Sequence, residues 1–323
     1  MNFELTPEQS AFRDAVRGFA EKHLREGALA RAHSPEHPWD VSRLMAQQGL
    51  LGITLPESDG GQGGTLMDAI LAIETVALSC PRSADVVQAG NFGAIRVLAE
   101  YGTADQKSRY LKRLLSGDGV ICVGMTESEA GSAVTDLRTT AKPDGAGYRV
   151  SGEKVFTTHA QYADVMVTYV RFGPGVGGIG SLLIERGAKG VSQSRPARFM
   201  NGEEWVTTRF DDVYVPPENV LLGEGGFKKQ MAGFNVERLG NTARSLAFGR
   251  YCYEIARQWA LQRKQFGRPL AEFQGVQWKF AERKVKLHAG QLLLSRAAAN
   301  ADRGLPSAEE TAIAKAYCNQ AGF

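Results

Sequence analysis

Gly147–Phe172 reads GYRVSGEKVFTTHAQYADVMVTYVRF, and its reading decides the fold. β-Branched and aromatic residues recur with alternation, the composition of strands lying on a half-buried pleated surface. Ser151–Gly152 supplies a turn signal inside the stretch. SLLIER (181–186) and VTTRFDDVYVP (206–216) repeat the strand character, and the Pro216–Pro217 pair closes the series, because proline donates nothing to a central ladder. The middle third, roughly residues 119–224, is therefore expected to be a small β domain of barrel-like form.

Outward from it the periodicity changes to that of helices. On the N-terminal side, Thr6-Pro7-Glu8 is a helix start: a capping hydroxyl, proline in the first turn and an early acid. Phe12, Val16, Phe19 and Ala20 then form an apolar stripe. LLGITLPESDGGQGGT (50–65) is a break rich in glycine, and helical patterns resume from Met67 to Ser79 and through GAIRVLAEYG and DQKSRYLKRLLSG. On the C-terminal side, a long helix follows Phe227, with Leu239, Ala243, Leu246, Tyr253 and Ala256 at spacings suited to a bundle. GRPLAEFQ interrupts it, a second helix runs to about Asp302, and a third begins after Pro306. The expected fold is mainly α with a central β domain: a helical domain over 1–118, the β domain over 119–224 and a helical bundle over 225–323.

Composition narrows the function by exclusion. The 323 residues are 43% hydrophobic and 23% charged with a formal net charge of +3, values of a folded globular chain. No basic block interleaved with aromatics marks a nucleic-acid partner, and no apolar run reaches the roughly 20 residues that span a bilayer. The five histidines lack metal-ligand spacing, so no metal site is expected. Cys80, Cys122, Cys252 and Cys318 are scattered without a CxxC pair, which reads as reduced cysteines in a cytoplasm. The opening MNFELTPEQSAFRD is unlike a secretory or transit peptide.

Four stretches carry chemistry: ICVGMTESEAGSAVTDLRTTA (121–141), GEKVFTTHAQYAD (152–164), FNVERLG (234–240) and RKQFGRPLAEFQ (263–274). Taken singly, each has an ordinary reading: a polar turn, a strand, a solvated helical acid, a helix end with basic residues on its dipole. As an ordered set, with LPESDGGQGG ahead of them, they closely resemble the acyl-CoA dehydrogenase family of flavoenzymes over almost the whole chain. Such enzymes take a proton from the carbon α to a thioester while the β carbon passes hydride to FAD; the protein binds the cofactor, orients it and supplies a base.

The resemblance implies site residues one by one. Val123, Met125, Thr126, Gly131 and Ser132 match a segment along the flavin ring, with Ser132 also reaching the CoA portion; Ser128 and Ala133 stand where the family usually has Pro and Asp. Phe156 matches an aromatic residue beside the isoalloxazine and Thr158 a hydroxyl near N5. Thr157 stands in the same segment where Ile is common, and it reads better as a strand residue packed for structure. Arg263, Gln265, Phe266 and Gln274 match residues that complete the FAD site of a neighbouring subunit, which implies a homo-oligomer, a dimer of dimers.

Glu237 is the candidate base. The Glu-Arg-Leu pattern at 237–239 matches the subset that includes the isovaleryl and long-chain enzymes, whose base lies on the first helix of the C-terminal domain. Neighbours on a helix point about 100 degrees apart, so Glu237 and Arg238 are poorly placed to pair. Asn235 and Arg238 match contacts to CoA. Many relatives carry the base nearer the C-terminus, and the sequence stops at Phe323 inside the third helix pattern, so a further C-terminal segment is expected. The implied activity is FAD-dependent α,β-dehydrogenation of an acyl-CoA, with an electron-transferring flavoprotein as acceptor. The same fold also admits a desulfinase, a flavin oxidase or a non-catalytic acyl-CoA-binding homologue.

Overall fold

A computed structural model describes residues 4–200, 202–301 and 306–323. The chain divides into two compact units. One comprises Met1–Leu29, Gly64–Gln88 and Asn235–Phe323; the other comprises Ala30–Gly63 and Ala89–Phe234. The observed order is helices, then a sheet, then helices. Among the described residues no helix is long and apolar enough to cross a membrane.

The first unit is helical. Its helix α1 (Pro7–His23) begins as the sequence predicts: Thr6 accepts from the Gln9 amide, Gln9 returns the bond to the Thr6 amide, and Pro7 fills the first turn. α2 (Ala28–His33), where the chain passes into the second unit, and α3 (Trp39–Gln47), which belongs to that second unit, follow in the chain. α4 (Leu66–Ala77) is capped reciprocally by Thr65 and Asp68 and is buried almost all round. α5 (Pro81–Ala89) comes next.

The remaining helices of this unit are long. α8 (Phe227–Gln262), α9 (Gln274–Ala301) and α10 (Ala308–Gly322) come after α6 (Ala94–Tyr101), α7 (Ala104–Leu115) and the sheet. α10 packs on α9, and α1 and α9 pack on α4. Leu239, Ala243 and Leu246 are fully buried, as their spacing predicts. Ala256 differs: it is exposed, as are Ile255, Trp259 and Leu261, so the stripe leaves the core at Ala256 even though Ala260 is buried again. The α8–α10 crossing depends on small residues, since a Cβ at Gly249 would lie 2.7 Å from the Cα of Gly322.

The second unit holds a nine-stranded sheet. Its strands are β1 (Ile121–Gly124), β2 (Thr140–Asp144), β3 (Gly147–Thr158), β4 (Val165–Arg171), β5 (Ile179–Glu185), β6 (Val191–Gln193), β7 (Ala197–Arg198), β8 (Glu204–Val215) and β9 (Val220–Leu222). The hydrogen-bonded path runs β6-β8-β3-β2-β4-β5-β9, with β1 on β4 and β7 on β8. β1 and β2 take successive parts of one edge of β4, pairing Val165–Thr168 and Arg171 in parallel. β4 is consequently buried on both faces, and its alternate residues feed two cores. Val165, Val167 and Tyr169 join Leu98, Leu111 and Leu114 of α6 and α7; Met166 and Val170 join Val150, Val206 and Phe210.

Two local expectations are corrected. Ser151–Gly152 is not a turn: β2 and β3 are joined by Gly145–Ala146, and the ladder of β3 with β8 merely shifts register between Val150 and Gly152. Gly152 is required there because it has φ +146° and a Cβ would lie 2.6 Å from Thr139 Oγ1. The Pro216–Pro217 pair ends β8, but the chain then returns to the sheet as β9.

Candidate active site

The loop after β1 is fastened to β3. Glu127 and Ala130 exchange backbone hydrogen bonds of 3.1 and 3.2 Å, and the Val155 amide donates to the Thr126 carbonyl at 2.8 Å. Ser128 Oγ donates to Glu153 Oε1 at 2.9 Å, so this serine tethers the loop through its side chain.

Beside this loop the β3–β8 ladder breaks again, between Lys154 and Thr157. Phe156 takes φ +54° and His159 φ +64°, conformations that cost L residues free energy and gather at functional sites. The bulge sorts the side chains. Phe156 is 55% exposed with its ring 4.6 Å from that of Trp205, while Thr157 is buried and its Oγ1 has no partner among the described residues. Thr158 is half-buried opposite Trp205. Thr157 thus packs inward, as its sequence reading favoured.

The surface so formed suits a flavin. The amides of Thr126, Gly131 and Ser132, and the hydroxyls of Thr126, Ser132 and Thr158, bond to no described residue and so are available to a ligand. A Cβ on Gly131 would meet no protein atom within 4 Å. Val123 and Met125 are partly buried against the core beneath.

Glu237, Asn235 and Arg238 share one turn of α8 in the helical unit. Gln88 Nε2 donates to Glu237 Oε1 at 2.7 Å and Asn241 Nδ2 to the same oxygen at 3.2 Å, whereas Oε2 receives no hydrogen bond from a described residue. Burial raises the Glu237 pKa above the ordinary carboxylate value, against the opposing effect of the two amide donors. Arg238 does not pair with Glu237; its Nη1 donates to Asn235 Oδ1 at 2.8 Å. Two turns further along α8, Arg244 joins Arg82 and Asp85 of α5 in an ion cluster.

Arg263, Gln265, Phe266 and Gln274 lie on and around a hairpin of β10 (Lys264–Gln265) and β11 (Arg268–Pro269), all exposed. Phe266 (φ +50°) and Gly267 (φ +80°) make the turn, which leaves the Phe266 ring 93% exposed. The side chains of Arg263, Gln265 and Gln274 bond to no described residue. The structure therefore brings the sequence-predicted residues together in three groups, the loop after β1 with the β3 bulge in one unit, and the Glu237 turn and the hairpin in the other.

Sequence reasoning missed Gln88, Trp205 and the pair Glu127–Lys154. Gln88 lies 149 residues from Glu237 and carried no local signal. Asn241 did carry one, standing four residues after Glu237 on the same helix face.

Family models match three successive stretches of the chain. The acyl-CoA dehydrogenase N-terminal domain matches residues 6–118, the middle domain 122–213 and the C-terminal domain 224–323. The chain is 32% identical to an acyl-CoA dehydrogenase of Bacillus subtilis (strain 168), covering 98% of this chain and 85% of that protein. It is 31% identical to a 3-sulfinopropanoyl-CoA desulfinase of Paraburkholderia xenovorans (strain LB400), over 99% and 84%. Butyryl-CoA dehydrogenase from Megasphaera elsdenii superposes with a TM-score of 0.92 at 29% identity, over 99% of this chain and 86% of that one. The chain belongs to the acyl-CoA dehydrogenase family, a family of FAD-binding oxidoreductases that dehydrogenate acyl-CoA thioesters.

Proposed function

We propose that this protein removes the α proton of an acyl-CoA thioester with Glu237 and binds FAD through Thr126, Gly131, Ser132, Phe156 and Thr158. The observation that carries the reading is the asymmetry of the Glu237 carboxylate. Both amide donors act on Oε1, leaving Oε2 as the oxygen that accepts a proton. When bound, FAD supplies the acceptor for the β hydride. The unpartnered amides and hydroxyls of the loop after β1 orient its polar edge, and the exposed Phe156 ring covers its apolar face. Asn235 and Arg238 hold the CoA portion.

Arg263, Gln265, Phe266 and Gln274 complete the FAD site of a second copy in a dimer of dimers. Exposed large apolar residues on α8 and α9, with Trp259 at 59% and Trp278 at 62%, support that assembly. The proposed division into domains over 1–118, 119–224 and 225–323 is supported in outline by family models spanning 6–118, 122–213 and 224–323. An electron-transferring flavoprotein is the proposed electron acceptor. Four free cysteines support a cytoplasmic location.

The test is to reconstitute the protein with FAD and present a panel of straight, branched and acidic acyl-CoA thioesters with an artificial electron acceptor. Bleaching of the flavin band and formation of enoyl-CoA support the reading. Failure to bind FAD, or release of sulfite from 3-sulfinopropanoyl-CoA without net oxidation, would replace it.

The asymmetry also predicts a pH effect. Glu237 must be ionised to act, and burial raises its pKa, so kcat/KM should have an acid limb above the ordinary carboxylate range. Asn241→Ala removes a donor that favours the charged form. The limb should then move to higher pH, because the charged form loses a hydrogen bond that favours it. An unmoved limb in the pH profile would refute the role of Asn241.

A further inference from the structure

Lys154 is fully buried, which is rare for lysine because its charge must be taken out of water. Its Nζ donates to Glu127 Oε1 at 2.7 Å and to the Met125 carbonyl at 3.1 Å. The Glu127 carboxylate is buried too, and it gathers further donors: the Thr139 amide on Oε1 at 2.9 Å and the Arg138 amide on Oε2 at 2.5 Å. One ion pair therefore ties together three segments, the loop after β1, the chain leading into β2, and β3.

Stability alone is a poor account of such a pair, since well-packed apolar residues of similar volume commonly serve a core as well or better. Buried polar groups are better attested as devices that fix register. A register needs fixing here. Lys154 is the last residue of β3 in regular pairing before the bulge, and two residues later Phe156 sits at φ +54°. A slip of one residue would turn Phe156 and Thr158 inward and Thr157 outward, because side chains alternate along a strand. Thr157 Oγ1 is already buried without a partner among the described residues, so the strand is held in this register against a local cost.

We propose that the buried Glu127–Lys154 pair is the positioning device of the flavin-facing surface: it sets where the β3 ladder breaks, and thereby places Thr126 on the loop and Phe156 and Thr158 on the bulge toward the cofactor. The inference rests on the FAD reading above. Burial lowers the Lys154 pKa to about 8 despite the neighbouring carboxylate, in keeping with a charge held where its solvation is poor. Glu127 and Lys154 act through the residues they position.

The test compares the full chain with Lys154→Met and with the double variant Glu127→Gln/Lys154→Met, which removes both charges and leaves neither unpaired. Readouts are thermal unfolding, FAD affinity, the shape of the bound flavin band, and amide hydrogen exchange at Val155–Thr158 without FAD. Lys154→Met alone should be destabilised. The double variant should regain most of the lost stability, yet bind FAD about tenfold or more weakly, show an altered band and exchange faster at the bulge. A double variant with wild-type FAD affinity, band and exchange overturns the proposal and leaves the pair a structural one. A wild-type chain that binds no FAD sinks the functional reading instead, and exchange at Val155–Thr158 still decides whether the pair sets the bulge.

Discussion

Glu237→Gln should leave FAD bound and slow acyl-CoA-dependent bleaching of the flavin by about 10²- to 10⁴-fold, the usual contribution of a positioned general base. The amide keeps the size of the side chain and can still meet Gln88 and Asn241, so the turn of α8 survives. It offers no oxygen basic enough to hold the α proton. The measurement is single-turnover bleaching under saturating substrate, with the resting flavin spectrum as the control for binding. Equal rates in the two proteins would remove Glu237 from the mechanism.

The same substitution has a signature in stability. The folded Glu237 carboxyl keeps its proton to a higher pH than the unfolded one, because burial raises its pKa. Between the ordinary carboxylate pKa and the raised value the native state binds more protons than the unfolded state. This group's contribution to stability is therefore present at low pH and lost as pH rises through that window. The glutamine variant should lack that component of the slope in denaturant unfolding, which gives a check independent of turnover.

Much of this was legible beforehand, and the reasons differ from element to element. Thr6, Pro7 and Gln9 announce α1 because capping is local chemistry between residues three apart. Leu239, Ala243 and Leu246 announce the core face of α8 because burial follows the helical period. The same periodicity failed at Ala256, since a period states which residues share a face and says nothing about whether another element covers it. The positive φ of Phe156 could not be read either. Bulges are set by partners across the ladder, and the pairing of Lys154 with Glu127 spans 27 residues. Nor could FNVERLG (234–240) reveal the glutamine on α5 that bonds the Glu237 carboxylate. Motifs supplied the candidate site residues, and tertiary contacts supplied which carboxylate oxygen of Glu237 is bonded and which of Phe156 and Thr157 is exposed.

Asp85→Ala should destabilise the helical unit by about 3–5 kcal/mol, the cost of removing one partner from a buried charge cluster. Asp85 receives Arg82 Nη1 at 2.9 Å on one oxygen and Arg244 Nη1 on the other, with Arg82 and Asp85 each only 8% exposed along the side chain. Burial, and then the neighbouring Arg82 cation, push the Arg244 pKa down to about 10. Without Asp85, the like charges of Arg82 and Arg244 lose the carboxylate that both contact, in a place where solvation is poor. Arg244→Met removes one of those like charges and leaves the pair Arg82–Asp85 balanced, so it should cost much less despite deleting a longer side chain. The order of the two variants in urea unfolding is the test. If Arg244→Met proves as harmful as Asp85→Ala, packing of the Arg244 stem governs this cluster and the charge argument is wrong.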